Sequence, residues 1–411
     1  MAAIKAFCGI RPKPELAEHI AALPYDVYNR EEACEEVRKE PLSFLRIDRG
    51  ETQFSDDVSP YDDCVYEKAK ELLWDMIEGG DFLTDLKPCY YIYELTMETQ
   101  VQTGLVACVS IDDYENRIVK EHEKTREEKE QDRIRHIDTC NAQTGPVFLA
   151  YRANQTINQV INNKKEDLPV YDFHSKDGIG HRVWLIDHPE LVQKIGELFS
   201  EIQQIYIADG HHRAASAVKV GKKRRAQYPD YTGAEEFNSV LSVLFPDDQL
   251  KILSYHRVIR DLNGYSKTAF LKKLEKCFYV GNPQNTPIEP EEPGSFGMYL
   301  EDAWYLLKTK EPCQGKFPVE HLDVAVLQTQ VIDKILGIQN PRTNERIDFV
   351  GGIRGIKELE RRVRTDCKVA FSVFPVSMQE LFAVADAGCL MPPKSTWFEP
   401  KLRSGLFIHS I

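Results

Sequence analysis

The sequence predicts a mixed fold, α/β in one part and α+β in another, for a chain of 411 residues. Apolar runs of strand length alternate with amphipathic helical segments through most of the chain, and two of these runs flank a short turn. Alternation favours a sheet covered by helices, whereas paired neighbouring strands are typical of α+β proteins. The composition, 42% hydrophobic and 28% charged, is that of an ordinary globular protein.

Local sequence signals predict the helices and strands of the N-terminal half of the chain. A helix is expected after Asn29, because Glu32 three residues later completes a capping box. Ser43–Ile47 predicts a strand, and Ser59-Pro60 predicts the start of an amphipathic helix. Strands are predicted at Tyr90–Met97, Leu105–Ile111, Val147–Tyr151, Val170–Phe173, Arg182–Ile186 and Ile205–Ala208, with a helix at Pro189–Phe199.

Residues 120–135 form the most charged stretch, with opposite charges at helical spacing. Such a pattern predicts a solvent-exposed helix stabilised by ion pairs four residues apart.

A change of composition near residue 256 predicts a boundary between an N-terminal α/β region, 1–255, and a C-terminal α+β region, 256–411. Residues 281–295 are rich in Pro, Gly and acidic side chains, which indicates an exposed loop. The later elements are predicted as strands at Trp304–Leu307 and Val369–Phe374 and helices at Leu322–Leu336 and Gln379–Ala385.

Charge, cysteine content and hydropathy exclude several classes of protein. Asp and Glu number 65 against 52 Lys and Arg, a net charge of −13 that argues against a general nucleic-acid coat. The first twenty residues lack the apolar region of a signal peptide, and no apolar run is long enough to span a membrane. Ten cysteines without a C-x-x-C pair predict reduced core thiols in a cytoplasmic protein.

The strongest candidate site follows the strand at Ile205–Ala208. Asp209 suits an N-cap, and Gly210 permits a tight turn and the close approach of a ligand. His211, His212 and Arg213 then occupy the first turn of a helix, where unpaired amides and the helix dipole favour an anion. This pattern predicts a phosphate site. A plain capped helix with solvent-facing histidines and a His-His-Asp metal site remain alternatives.

Two further clusters carry candidate groups. Asp26, in the segment Pro24-Tyr25-Asp26-Val27, could be a general base or a magnesium ligand, or could simply cap a turn. Near the C-terminus, a Pro-rich segment could hold an anion or could be a rigid closing loop. Its candidate ligand groups are Lys394, Ser395, Thr396 and Lys401.

These motifs together resemble, in order along the chain, the bacterial and archaeal family called domain of unknown function 1015. The matching stretches are PYDV at 24–27, PLSFLRI at 41–47, HEKT at 122–125, DR at 132–133, ADGHHR at 208–213, YHR at 255–257 and MPPKSTWFEPK at 391–401. The Gly-His-His-Arg turn is similar to the phosphate-binding turn of the ParB/sulfiredoxin-like fold, whose members include free-serine kinases. The resemblance implies a ParB/sulfiredoxin-like phosphate-binding core followed by a C-terminal α+β domain.

The resemblance also implies a reaction, the transfer of a phosphoryl group from ATP or ADP to L-serine, with Mg²⁺ as cofactor. Asp26, Asp209 and His211 are then expected to be catalytic, with Asp26 as the base and Glu15 or Glu18 as alternative bases. Asp26 and Asp209 are the expected Mg²⁺ ligands. Phosphates are expected on Gly210, His211, His212 and Arg213, and the amino acid near His122, Glu123, Thr125, Lys394, Ser395, Thr396 and Lys401.

Two rival functions stay open at this point, a nucleotide sensor without turnover and a ParB-like DNA-binding regulator. A DNA-binding regulator would use the basic run Lys222–Arg225 to contact DNA, although such a run is also typical of a helix C-terminus. A sulfiredoxin mechanism is disfavoured, because no cysteine lies within residues 203–220. The expected partners are a nucleotide and a small amino acid, with no membrane; nucleic acid is disfavoured, and a homodimer is left open.

Overall fold

A computed structural model describes residues 1–310 and 315–411 of the chain. These residues form two compact units, one of residues 1–250 with 400–411 and one of residues 251–399. The strands are β1 Ile4–Lys5, β2 Ile10–Pro12, β3 Phe82–Thr84, β4 Tyr90–Met97, β5 Gln100–Ser110, β6 Val119–Lys120, β7 Ala142–Gln143, β8 Val147–Tyr151, β9 Tyr171–His174, β10 Gly180–Ile186, β11 Ile205–Asp209, β12 Ser239–Pro246, β13 Ile252–Leu253, β14 Tyr255–Ile259, β15 Phe278–Val280, β16 Ser295–Leu300, β17 Ala303–Thr309, β18 Ile347–Gly351, β19 Val369–Val373, β20 Trp397–Phe398 and β21 His409–Ser410.

The helices mostly follow the sequence signals that predicted them. Asn29 and Glu32 form the predicted capping box, in which each backbone N–H donates to the other residue's side chain at 2.9 Å. The α-helices are α1 Ala17–Ile20, α2 Arg30–Lys39, α3 Leu45–Asp48, α4 Asp63–Glu78, α5 Ile111–Glu115, α6 Glu127–Cys140, α7 Gln155–Lys164, α8 Pro189–Ser200, α9 His211–Gln227, α10 Lys267–Leu274, α11 Asp323–Leu327, α12 Lys357–Thr365 and α13 Met378–Asp386.

The first unit is built on a nine-stranded sheet. Eight strands follow the order β6-β11-β8-β12-β5-β4-β10-β9, and the ninth, β1, pairs with the C-terminal end of β5. β6 with β11 and β8 with β12 are parallel pairs, and the other neighbours are antiparallel. The β4–β5 hairpin confirms the paired strands predicted there. Every residue of β8 and β12 is buried, as expected of central strands covered on both faces. The mixed α/β class is therefore confirmed.

The second unit contains a six-stranded antiparallel sheet in the order β15-β17-β16-β19-β14-β18. Val258, Trp304 and Val350 on one face pack with Leu359 of α12 in an apolar cluster. The single helix predicted at Leu322–Leu336 is α11 continued by a π-helical segment, Gln328–Asp333.

Residues 400–411 belong to the first unit, although the predicted boundary grouped them with the C-terminal region. β21 pairs with β7, and the backbones of Ile408 and Ser404 bond those of Ile10 and Ala22. These interactions are made by the backbone, so composition gave no sign of them.

Two element predictions are wrong. Ser43–Ile47 is not a strand, because Leu45–Asp48 forms the short helix α3, whose apolar residues pack into a cluster with Leu73 of α4. The helix predicted from Ser59-Pro60 begins only at Asp63, after a turn.

The charged stretch is also different from its prediction. It forms α6, but Glu130, Asp132, Arg133 and His136 are buried rather than solvated. α6 packs against both α4 and α9, so one of its charged faces lies inside the unit.

Within the described residues, no helix combines the length and the apolarity needed to cross a membrane. The nine described cysteines are free thiols, but Cys8 and Cys64 are exposed, so the prediction of core thiols is wrong for these two. Cys313 lies outside the described residues.

Candidate active site

The candidate site is the turn that joins β11 to α9. Gly210, not Asp209 as predicted, is the N-cap residue, and its φ of 92° lies in the left-handed region that favours glycine. A Cβ at this position would lie 3.1 Å from Cζ of Arg213, because the guanidinium folds back over the turn. Nη1 of Arg213 donates to the carbonyl of Pro146. Glycine is thus required both by the backbone conformation and by the close approach of Arg213.

Asp209 is held by the two groups that flank it. One carboxylate oxygen accepts from the Gly210 amide at 2.8 Å, and the other lies 3.0 Å from Nζ of Lys401. Burial raises the pKa of Asp209, but the charges of Lys401 and Arg213 outweigh burial and hold that pKa well below its usual range. Asp209 is therefore an anion paired with Lys401, and Lys401 belongs to this site.

His211 is buried and faces another histidine. Its ring stands perpendicular to that of His122, with centroids 4.6 Å apart, and its Nε2 accepts from the His122 backbone amide at 3.5 Å. Burial lowers the pKa of His211 to about 4 and that of His122 to about 3, so both rings are neutral near pH 7. The alternative of solvent-facing histidines is wrong for His211.

His212 connects the turn to the segment before α6. Its Nε2 accepts from the Arg126 backbone amide at 2.9 Å, which leaves the proton of the neutral ring on Nδ1. Burial lowers the pKa of His212, while the negative charges of Glu123 and Asp26 act in the opposite direction. The structure therefore brings Glu123 and Asp26 within electrostatic reach of this ring.

Thr125 lies on the same segment and is half-buried. Its hydroxyl donates to Glu130 at 2.8 Å, and Glu130 also forms an ion pair with Lys219 of α9. The hydroxyl of Thr125 therefore forms a structural hydrogen bond that links this segment to α6.

The three acids proposed as a base differ in their positions. Asp26 lies in a short 3₁₀ turn, Tyr25–Val27, and is exposed beside the site. Glu18, on α1, lines a separate cavity together with Arg403 and Asp177. Glu15 is exposed on the 3₁₀ turn before α1.

A metal cage is not formed here by the part of the chain that the structure describes, which contains no group of three or more His, Cys, Asp or Glu side chains able to hold a metal. Both oxygens of Asp209 are engaged, and the two histidines of the turn accept from different backbone amides. The His-His-Asp metal site is therefore not supported.

Beside the turn lies a small cavity of mixed polar and apolar lining that the sequence did not predict. Arg133 stacks over the Tyr25 ring at 4.0 Å and pairs with Asp132 at 2.9 Å. Two of the family motifs contribute to it, PYDV at 24–27 and DR at 132–133, but the sequence did not show that they lie together. The cavity is lined by Pro24, Tyr25, Asp48, Arg133, His136, Ile137, Gln143, Thr144, Gly145, Val147, Arg213, Ala217, Val240 and Ser404.

Lys394, Ser395 and Thr396 lie in the second unit. The ammonium of Lys394 is 5.5 Å from the centroid of the Tyr255 ring, and the hydroxyl of Ser395 donates to the Pro392 carbonyl at 2.7 Å. Thr396 is half-buried. Their part in binding a substrate stays a prediction.

The basic run at the end of α9 is neutralised by ion pairs. Lys222 pairs with Glu115, Lys223 and Arg224 with Asp138, and Arg225 with Asp112. Because each cation has a carboxylate partner, the run is poorly suited to bind a nucleic-acid backbone.

Comparison with known proteins identifies one matching family and several solved structures of low similarity. The family model described as "Protein of unknown function (DUF1015)" matches residues 4–325. A mutant free serine kinase in complex with ADP is similar at 12% identity and a TM-score of 0.39, covering 74% of this chain and 91% of that one. SbnI from Staphylococcus aureus, with a C-terminal truncation, is similar at 14% identity and a TM-score of 0.38, covering 74% and 87%.

A conserved hypothetical protein from Pyrococcus furiosus has a TM-score of 0.34 at 14% identity, covering 74% of this chain and 95% of that one. At such TM-scores these likenesses carry no argument about function. No curated protein matches the chain.

Proposed function

This chain belongs to the DUF1015 family, and from that premise we propose that its first unit binds the phosphates of ATP or ADP at the start of α9 and transfers a phosphoryl group to the hydroxyl of a free amino acid. The observation that carries the proposal is the left-handed Gly210 turn with the Arg213 guanidinium folded over it. The amides of the first helical turn and a fixed cation then point to one place, which suits a phosphate.

The charges around the turn support phosphoryl transfer, which depends on positioning and electrostatic stabilisation more than on covalent catalysis. Arg213 is anchored by the Pro146 carbonyl, so its remaining N–H groups are available in a fixed orientation. The neutral His212 ring supplies an Nδ1–H donor without adding a charge. We expect His211 to hold the turn in place through the His122 amide rather than to titrate during turnover.

Asp26 is the best-placed base for the acceptor hydroxyl. It is exposed and acts electrostatically on His212, whereas Asp209 is held as an anion of depressed pKa by Lys401. A carboxylate stabilised in that way is a weak proton acceptor. Asp209 therefore fits a positioning role, fixing Lys401 and the Gly210 amide.

Magnesium fits this site as the partner of a nucleotide rather than as a resident ion. Mg²⁺ is commonly held by one or two carboxylates together with substrate phosphates. Asp26 is exposed and could supply such a carboxylate, whereas both oxygens of Asp209 are already bonded. When bound, the ion would neutralise charge on the phosphates. L-serine is proposed as the acceptor on the family resemblance alone.

The test incubates the full chain with Mg²⁺, L-serine and either ATP or ADP, and measures O-phospho-L-serine by mass spectrometry. We expect product with at least one donor and a loss of roughly a hundredfold or more in Arg213→Met. Lys222→Met, which removes a cation of the same helix whose side chain is 53% exposed, is the control and should keep the activity.

Nucleotide binding without product would replace the kinase with a sensor or point to another acceptor. Full activity in Arg213→Met would overturn the assignment of the turn.

A further inference from the structure

Arg257 is a buried cation on the strand next to the edge of the second unit's sheet. It lies on β14 between β18 and β19, opposite Phe349 and Phe371, and only 1% of its surface is exposed. The guanidinium lies 5.1 Å from the Phe349 ring centroid. Arginine is rarely buried so completely unless an anion accompanies it.

No carboxylate accompanies this arginine within the residues that the structure describes. Nη1 donates to the Tyr255 carbonyl, Nη2 makes a long contact of 3.3 Å with the Pro393 carbonyl, and Nε is buried with no hydrogen-bond partner. Burial accordingly lowers the pKa of Arg257 to about 10. A buried charge left in this condition is unfavourable.

Other arginines of the same chain show what the Nε–Nη2 edge normally binds. Arg11, Arg346 and Arg361 each present this edge to both oxygens of one carboxylate, at 2.6 to 3.3 Å. The planar fork matches a carboxylate geometrically. At Arg257 the same edge has only the long contact to a carbonyl.

We propose that the second unit binds the carboxylate of a small molecule on the Nε–Nη2 edge of Arg257, with Lys394 as a second cationic contact. The carboxylate would replace the long Pro393 contact and supply the acceptor that Nε lacks.

The segment around Lys394 reaches this face of the sheet. Trp397 packs so closely on Gly351 that a Cβ there would lie 2.6 Å from its ring, and Gly351 pairs with Tyr255 on β14. The Lys394 ammonium lies over the Tyr255 ring, two residues from Arg257, and Lys394 itself is exposed. Its φ of 56° is unusual for a residue other than glycine, and strain of this kind is often found at ligand sites.

The proposal is argued from the geometry of second-unit residues, and of these only Lys394 is also an expected amino-acid contact of the kinase. The experiment titrates the full chain by calorimetry with sodium acetate, with L-serine and with inorganic phosphate, against sodium chloride at equal ionic strength. Arg257→Met keeps most of the side-chain volume but removes the charge, and Lys394→Gln changes an exposed residue, so we expect the fold to be kept.

We expect saturable binding of acetate or L-serine that is lost in Arg257→Met and weakened roughly tenfold in Lys394→Gln. Arg213→Met should keep this binding even where it abolishes nucleotide binding, which separates the two proposals. Binding of phosphate alone would overturn the choice of a carboxylate. No saturable binding, or binding unchanged in both second-unit variants, would overturn the site.

Discussion

Two buried arginines, one in each unit, differ in their surroundings. Arg133 pairs with Asp132 at 2.9 Å and stacks on Tyr25, whereas Arg257 has two backbone carbonyls, one phenylalanine ring and an Nε with no acceptor. Desolvation lowers the pKa of both guanidiniums, but the carboxylate reverses the outcome at Arg133, whose pKa is raised. The neighbouring charge, rather than burial alone, therefore decides whether the pKa of a buried arginine is raised or lowered.

The largest expected effect is a difference between two identical substitutions. Arg133→Met leaves Asp132 buried without its cation, so we expect a loss of about 3–5 kcal/mol in the free energy of unfolding. Arg257→Met removes a cation that has no counter-ion, so we expect stability within about 1 kcal/mol of wild type, or a gain. Urea unfolding of both variants measures the difference, and equal losses would show that the two arginines are equivalent.

A smaller effect is expected when Arg133 is made to resemble Arg257. Asp132→Asn keeps an acceptor for the Tyr66 hydroxyl but removes the counter-ion, for an expected loss of about 2–3 kcal/mol near pH 7. The pKa of Asp132 is lowered because Arg133 and the Tyr66 hydrogen bond outweigh the opposing effect of burial.

A carboxyl group of lowered pKa contributes stability above its unfolded pKa of about 3.9, and this contribution is lost as pH falls through the folded pKa. Asp132→Asn should therefore flatten the acid limb of the stability profile, and Arg257→Met should leave that limb unchanged. Urea midpoints between about pH 7 and pH 2 test both statements. An acid limb unchanged in Asp132→Asn would contradict the pairing.

The smallest effect concerns the aromatic rings. Tyr25→Leu removes a ring 4.0 Å from the Arg133 guanidinium, for an expected loss of about 1–2 kcal/mol. Phe349→Leu removes a ring at 5.1 Å from Arg257, and we expect a loss about half as large. Thermal unfolding of the two variants gives the order, and a reversed order would mean that packing rather than charge dominates at these rings.

Local signals predicted much of the fold and part of the candidate site. The Asn29 capping box and the β4–β5 hairpin depend on residues close in sequence, and both were found as predicted. The strand-to-helix turn lies where it was predicted, although Gly210 rather than Asp209 is its N-cap, and its binding of a phosphate stays a prediction. Short-range patterns thus predicted many of the elements and the turn between β11 and α9.

Long-range partners explain what the sequence did not reveal. Arg133 is buried because Tyr25, Asp48 and Tyr66 approach α6 from segments far away in the chain. The charge pattern of α6 alone is the same for a solvated helix and for one enclosed by such partners. The strand prediction failed at α3 because a short apolar run fits both a strand and a helix. Packing against α4, which is distant in sequence, accompanies the helix here.

The return of residues 400–411 to the first unit has a consequence for biosynthesis. Lys401, the partner of Asp209, and the β21 strand follow the whole second unit in the order of translation. On the ribosome, residues 251–399 emerge as one continuous segment before the first unit receives its last strand and this lysine. The candidate site is thus completed late, and a nascent chain stalled within the second unit lacks the ammonium that faces Asp209.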